Sequence, residues 1–353
     1  LTYLASCAKA NGIMALEKSI YELSQEELKA FLIKNNISPD FSTTIFRNLY
    51  KNNKYEMPIS KKLMALLGKN FQLDLPKIHT VAKSPDGTVK FLMMFSDGKS
   101  VETVLIPFNK RFTVCLSSQV GCAMKCSFCY TGTMGLSRHL KSSEIIGQYI
   151  VAAKYLDVEL GLKTMAPNIV FMGQGEPLHN SEEVLKAIQI FMEPFGLAMG
   201  PRQMTLSTAG YLPGIKKLND FPKINIALSL HSPFNDIRKE LIPINQHFPL
   251  EDIFLELDKL DLIRRQFIVY EYLLIDGLND RIEDADELLK LLGERKAAIN
   301  IIPFNPFPGS KYKRPSDEKV EAFKELLVER KLRTMIRTTK GSDILAACGQ
   351  LKS

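Results

Sequence analysis

Four of the six cysteines in this 353-residue chain, Cys115, Cys122, Cys126 and Cys129, fall within fifteen residues, in the stretch VCLSSQVGCAMKCSFCYTGTMGL. Three of them repeat as C-x3-C-x2-C, interleaved with Gly121 and Lys125 in a loop that follows an apolar, strand-like run. Thiols that only filled a core would fit poorly among glycine and lysine in a loop. Clustered cysteines in a reducing compartment more often serve metal or redox chemistry. A structural zinc ion wants four nitrogen or sulfur ligands, usually as two separated pairs, and no second C-x2-C or H-x3-H occurs here. Recruiting Cys115 as a fourth ligand would leave the distant Cys348 without a partner. An iron–sulfur cluster normally takes four thiolates, so three would leave one iron open to another ligand. Cys7, alone near the start, reads as a plain thiol.

Further polar residues recur where apolar strand-like runs end. FMGQGEPLHN holds Gly173, Gly175 and Glu176, but Pro177 stands where a dinucleotide fingerprint needs a helix start and a third glycine. LSTAG carries Ser207, and LSLHS carries Ser229, Leu230 and His231. Judged alone, these are capping or turn residues. Asn305 in the proline-rich IPFNPFPGS is, on its own, a turn former.

The elements that must position these residues follow from periodicity. LSQEELKAFLIKNN opens on a capping box, Ser24 with Glu27, and two more helices are expected after Ser42 and Ser60. Asp86-Gly87 and Asp97-Gly98 bracket KFLMMF and precede SVETVLIPF, which predicts a strand meander with tight turns. From Phe112 onward, the strands FTVCL, NIVFMG, QMTLST, INIALSL, FIVYEYLLI, AINIIPF and LRTMIR alternate with amphipathic helices. That alternation predicts an α/β fold with a parallel sheet, open or barrel-like, whose functional loops lie at the carboxyl ends of the strands. The segments are expected to divide as a helical accessory domain (1–75), a β meander linking it onward (76–111), the main α/β unit (112–340) and a C-terminal tail (341–353).

The apolar content of 45% fills a substantial core. FIVYEYLLI, interrupted by Glu271, falls far short of the roughly 20 residues of a membrane span. No signal pattern precedes it, so the expectation is a cytoplasmic protein without a membrane partner, although the start at Leu1 leaves a trimmed N-terminus open. The net charge of +7 is moderate, yet Arg47, Lys51, Lys54, Lys61, Lys62 and Lys69 crowd one stretch against the single acid Glu56. Such a segment is either a solvated helix surface or a footprint for phosphates.

Taken in order, SSQVGCAMKCSFC, FMGQGEPL, SLHSPFNDIRKELIPIN, IPFNPFPGS and SDILAACGQL resemble the RNA adenine-methylating radical S-adenosylmethionine (SAM) family, typified by the carbon-2 adenine methyltransferases of rRNA and tRNA. The resemblance runs from about Asp97 to the C-terminus and implies a partial (β/α)6 barrel. It implies that Cys122, Cys126 and Cys129 hold a [4Fe-4S] cluster whose open iron chelates SAM. Gly175, Glu176, Ser207, Ser229, Leu230, His231 and Asn305 then match SAM-contacting positions. Cys348 matches the cysteine that accepts a methyl group, Cys115 the resolving thiol that later pairs with it in a catalytic disulfide, and Glu102 an acid proposed as proton acceptor.

Carbon 2 of adenine lies between two ring nitrogens and is electron-poor, so ordinary displacement on the SAM methyl is closed to it and a radical route is reasonable. The family uses two SAM molecules per turnover, one as methyl donor to the cysteine and one as radical source. The implied partners are 23S rRNA, tRNA beside the anticodon, an electron-donor protein and a thiol reductant for the Cys115–Cys348 disulfide, with the enzyme monomeric. Arg138, His139, Lys141, Lys311, Lys313 and Arg314 join the basic stretch as the expected RNA surface. The sister class that methylates carbon 8 and confers antibiotic resistance shares the cluster and both cysteines, whereas GEPL and NPFPG favour the carbon-2 class. A non-catalytic metal-binding RNA adaptor leaves Cys348 and the GEP turn unexplained.

Overall fold

The computed structural model describes residues 18–50, 58–109, 111–162, 168–264 and 266–353, so Cys7, Lys51 and Lys54 lie outside the described residues. Among the described residues the first α-helices are α1 (Gln25–Lys34), α2 (Phe41–Tyr50) and α3 (Lys61–Asn70). Both halves of the expected capping box form, Glu27 N–H donating to Ser24 Oγ and Ser24 N–H to Glu27 Oε2. Strands β1 (Lys77–Lys83), β2 (Val89–Met94) and β3 (Ser100–Phe108) make the meander. Gly87 and Gly98 take φ of 86° and 78° in its turns, a conformation that costs glycine nothing.

The meander does more than link two units. β3 pairs antiparallel with β4 (Arg111–Cys115), Val104 opposite Cys115, which joins it to the barrel strands in one ten-stranded sheet. From β4 the sheet continues in parallel through β7 (Asn168–Phe171), β8 (Met204–Thr208), β9 (Asn225–Ser229), β10 (Ile268–Leu274), β11 (Ala297–Pro303) and β12 (Thr334–Ile336). All seven strands expected from alternation are present. The helices that return the chain are α4 (Ser142–Leu160), α5 (Ser181–Met192), α6 (Asn235–Leu241), α7 (Leu250–Leu257), α8 (Ile282–Leu292) and α9 (Asp317–Glu329). Two short strands, β5 (Gln119–Gly121) and β6 (Leu136–His139), pair antiparallel apart from the main sheet. At three and four residues, their apolar pattern is too short to register as periodicity.

One apolar core runs under the sheet and includes Leu28 and Phe46 of the first helices together with Ile145, Phe191 and Leu206 of the barrel. Gln25 N–H also donates to Glu193 Oε1 at 3.3 Å, tying α1 to the end of α5. Among the described residues no helix is long and apolar enough to cross a membrane. The carboxyl ends of β4, β7, β8, β9 and β11 deliver Cys115, the Gly173–Glu176 turn, Ser207, Ser229 and Asn305 to one edge of the sheet.

Candidate active site

The three clustered cysteines sit in the loop that β5 and β6 close. Gly121 has φ of 76°, and a Cβ there would meet the Gly135 carbonyl oxygen at 1.8 Å, so only glycine lets the two ends approach. Cys122 N–H donates to that carbonyl at 2.9 Å, and Gly132 N–H donates to Cys129 O at 3.0 Å. From outside, the loop is pinned by Ser127, whose N–H and hydroxyl donate to Leu241 O and Glu240 O at the end of α6. The Phe128 ring meets the His231 ring edge-on at 4.7 Å. Burial pushes the Cys122 thiol up to about 12 and raises those of Cys126 and Cys129.

All three cysteines line one cavity of about 140 Å³, together with Gly175, Glu176, Ser207, Ser229, His231 and Cys348. Among the described residues, no three His, Cys, Asp or Glu side chains are grouped to hold a single metal ion. Three thiols lining one cavity match the three ligands of an iron–sulfur cluster with one open position. The residues present therefore fit the group that the sequence implied.

In the same cavity lining, Gly173 and Gly175 pack so tightly that a Cβ at either would come within 2.7 Å of Leu116 O or Gln119 Cβ. Glu176 is buried, with Oε1 accepting from Leu178 N–H at 3.0 Å and Oε2 from Ala209 N–H at 2.7 Å. Burial nonetheless pushes its carboxyl up to about 7. An acid held there rises in charge when a cation arrives. His231 is the reverse case: burial drives its pKa down to about 3, so it stays neutral, its Nδ1 at 2.9 Å from Glu271 O and 3.1 Å from Leu273 N. Leu230 and Asn305 do not line this cavity. Leu230 is fully buried, and Asn305 Nδ2 instead donates to Cys348 O at 3.3 Å.

A smaller cavity of about 40 Å³ lies alongside, lined by Cys115, Cys348, Met172, Asn305 and Arg337. Cys348 lines both cavities, and neither it nor Cys115 is in a disulfide. Burial pushes the Cys115 thiol up to about 12 and raises Cys348, with Arg337 pulling both back down. Arg337 also reaches Glu271 Oε1 at 3.4 Å, and Glu271 Oε2 accepts from Ser207 Oγ at 3.2 Å. A polar relay thus joins the cluster-side cavity to the thiol pair. Glu102 lines neither cavity: it pairs with Lys90 Nζ at 2.8 Å and accepts from Lys352 N–H at 2.8 Å.

The Radical SAM superfamily profile matches residues 116–292. A dual-specificity RNA methyltransferase RlmN of Nitratidesulfovibrio vulgaris strain DP4 is 40% identical over 344 residues, 95% of this chain and 94% of the relative. The chain belongs to this radical SAM RNA methyltransferase family. The protein of the same name from Syntrophobacter fumaroxidans is 42% identical over 293 residues, 83% of this chain and 84% of its own. A solved radical SAM methyltransferase from Sphaerobacter thermophilus superposes with a TM-score of 0.88 at 35% identity, over 95% of this chain and 99% of that one. The protein is accordingly a SAM-dependent radical RNA methyltransferase, a family membership that implies a [4Fe-4S] cluster.

For this radical SAM methyltransferase, sequence reasoning missed several polar residues at the site. Glu271 carried a signal, a lone acid inside an otherwise apolar strand, and so did Arg337, a base at the end of the last strand. Arg238 carried none, yet it is fully buried and donates to Ala209 O, Ser229 O, Leu230 O and Asn245 Oδ1, fastening the ends of β8 and β9. Four residues assigned to the RNA surface have partners within the protein. Arg138 makes a bidentate pair with Glu144 at 2.7 Å and a bond to Asp97, and Lys311 pairs with Glu240 at 2.8 Å. Arg314 donates to Pro303 O, Phe304 O, Asn305 Oδ1 and Thr339 Oγ1, and His139 Nδ1 lies 3.0 Å from Gln119 Nε2.

Arg337 has a measurable consequence. Replacing it with Met removes a guanidinium charge that draws both thiols toward thiolate, so their pKa values rise further. Iodoacetamide labelling of Cys348, followed by peptide mass spectrometry at fixed pH, is expected to slow about tenfold for each unit of rise. Unchanged labelling would remove Arg337 from thiol activation.

Proposed function

We propose that this enzyme methylates carbon 2 of a specific adenine in 23S rRNA, and of an adenine beside the anticodon in tRNAs, through a methyl group carried on Cys348. The observation that carries this reading is Cys348 standing on the shared wall of the cavity ringed by Cys122, Cys126 and Cys129 and the cavity that holds Cys115. A group on its sulfur can face the radical source on one side and a resolving thiol on the other.

Cys122, Cys126 and Cys129 would hold the cluster, and Gly175, Glu176, Ser207, Ser229 and His231 would hold SAM, while Leu230 and Asn305, matched by the resemblance, stand outside that cavity. With SAM bound, the cluster supplies a 5′-deoxyadenosyl radical able to take a hydrogen atom from a methyl thioether. The Cys348 thiolate, favoured by Arg337, first takes a methyl group as a nucleophile. Once its carbon is joined to the adenine, the adduct would return its unpaired electron to the cluster and a ring proton would leave to Cys115 or Glu102. Cys115 Sγ then attacks Cys348 Sγ, the Cys348 C–S bond breaks, and the freed methylene carbon takes up a proton to become the methyl group. The methylated base departs and a Cys115–Cys348 disulfide remains for a thiol reductant. This sequence takes two SAM molecules per turnover.

Residues 1–75 are the proposed accessory RNA-contacting unit, 76–111 the meander, 112–340 the barrel and 341–353 the carrier tail, in an enzyme acting as a monomer with a separate electron-donor protein. Exposed Arg47, Lys61, Lys62 and Lys69 on α2 and α3 supply positive charge on that unit. Its phosphate contacts would position an adenine flipped from its stack.

Mass spectrometry of RNA methylated in vitro is expected to locate the new methyl on carbon 2. A carbon-8 product would overturn this assignment. Glu176 gives a pH test. Because its carboxyl sits near 7, a bound ammonium group draws off its proton, and SAM affinity is expected to rise with pH up to about 7 and level off above. Titration calorimetry of the holoenzyme should show that rise and lose it in Glu176→Gln.

A further inference from the structure

One face of β2 and β3 points to the core, while the other carries Lys90, Glu102 and Val104 and continues to Cys115 on β4. The C-terminal tail covers this second face, with Ala346 and Leu351 packed on Val104 and Cys115. Lys90 and Glu102 form an ion pair of 2.8 Å with side chains only 14% and 7% exposed. Taking such a pair out of water is costly unless further bonds complete it. Here, among the described residues, the further side-chain bonds of the pair go to the tail.

Lys90 Nζ donates to Leu345 O at 3.1 Å, three residues before Cys348, and Glu102 Oε2 accepts from Lys352 N–H at 2.8 Å, four residues after it. Gln174, in the turn before Glu176, accepts from Glu102 N–H at 3.0 Å and donates to Ser353 Oγ at 3.2 Å. Ser353 Oγ in turn donates to Ser100 O at 3.0 Å. Leu345 is held at φ of 53°, a left-handed conformation that a leucine leaves unless fastened. Between the two grips, Gly349 takes φ of 82° and its carbonyl accepts from Tyr130 N–H in the cluster loop.

We propose that Lys90 and Glu102 are a two-point clamp that positions Cys348 between the two cavities. Glu102 is then a positioning residue, acting through the tail, and the ring proton goes elsewhere. This assignment rests on Cys348 being the methyl carrier. Lys90 supplies the donor that the Leu345 carbonyl requires, and Glu102 supplies the acceptor that the Lys352 N–H requires. An exchanged pair, Lys90→Glu with Glu102→Lys, keeps the ion pair but presents the wrong polarity to both grips.

The test uses full-length holoenzyme with Lys90→Met, Glu102→Gln and the exchanged pair. Hydrogen exchange of residues 341–353 and iodoacetamide labelling of Cys348 are read by mass spectrometry, with barrel peptides as the folding control. Loss of a charge-assisted bond is expected to speed tail exchange and Cys348 labelling about tenfold in Lys90→Met and in the exchanged pair, with barrel peptides unchanged. Rescue by the exchanged pair, or an unchanged tail in Lys90→Met, would overturn the clamp.

Glu102→Gln separates positioning from proton removal. A positioning role predicts that transfer of methyl from SAM to Cys348 falls with Lys90→Met and that little RNA adduct forms. Normal Cys348 methylation with accumulated RNA adduct would show Glu102 to be the base and overturn the proposal. If Cys348 of the unaltered enzyme takes no methyl, the carrier reading fails, and the hydrogen-exchange result still decides the clamp.

Discussion

Cys115→Ala is expected to leave the enzyme covalently joined to its RNA. The variant keeps Cys348, both cavities and all three cluster cysteines, so methyl transfer to Cys348 and addition to the base proceed. What it lacks is the thiol that lines the same small cavity as Cys348 and can attack its sulfur. Released methylated RNA should fall on the order of a thousandfold, while a protein–RNA band accumulates to about one per active site. Digestion and mass spectrometry should place the link on Cys348, and Cys115→Ala combined with Cys348→Ala should abolish it. Normal release of methylated RNA by the single variant would remove Cys115 from the mechanism.

The second large effect concerns the cluster. Anaerobic reconstitution of the unaltered chain should yield about four irons, and Cys126→Ala well under one, because two thiolates cannot replace three. SAM cleavage under reduction should vanish with the iron. Burial holds the three thiols well toward the protonated form, so cluster assembly must expel protons and should slow as pH falls. Retention of one zinc by the unaltered protein, without SAM cleavage, would contradict the cluster reading. A variant that keeps its iron after loss of Cys126 would point to another ligand.

Much of the barrel was legible because parallel strands buried on both faces write themselves as apolar runs, and their crossover helices as amphipathic ones. The seven barrel strands, the capping box at Ser24 and the tight turns at Gly87 and Gly98 all follow from local pattern. The β5–β6 pair did not, since its strands are short and what stabilises them is the cluster loop they close. Charge was legible only as composition. Arg138 read only as a member of a basic set, and folding brings Asp97 and Glu144 to it. Glu102 matched a proton acceptor by resemblance, and its partners, Lys90 and the Lys352 amide, come from another strand and from the far end of the chain.

By itself the sequence determined the chemistry available: three thiols spaced as cluster ligands, a glycine–glutamate turn after an apolar strand, and two further cysteines on the matched segments. Those are properties of contiguous residues, and local spacing encodes them. Tertiary structure alone decided what each of those groups can do. It put Cys115 and Cys348 on one cavity, set Glu271 and Arg337 between the thiols and the cluster side, and committed Glu102 to the tail. The reason is physical. Burial, desolvation and the choice of hydrogen-bond partner depend on which distant residues the fold brings within a few ångströms, and no stretch of neighbours in the chain carries that information.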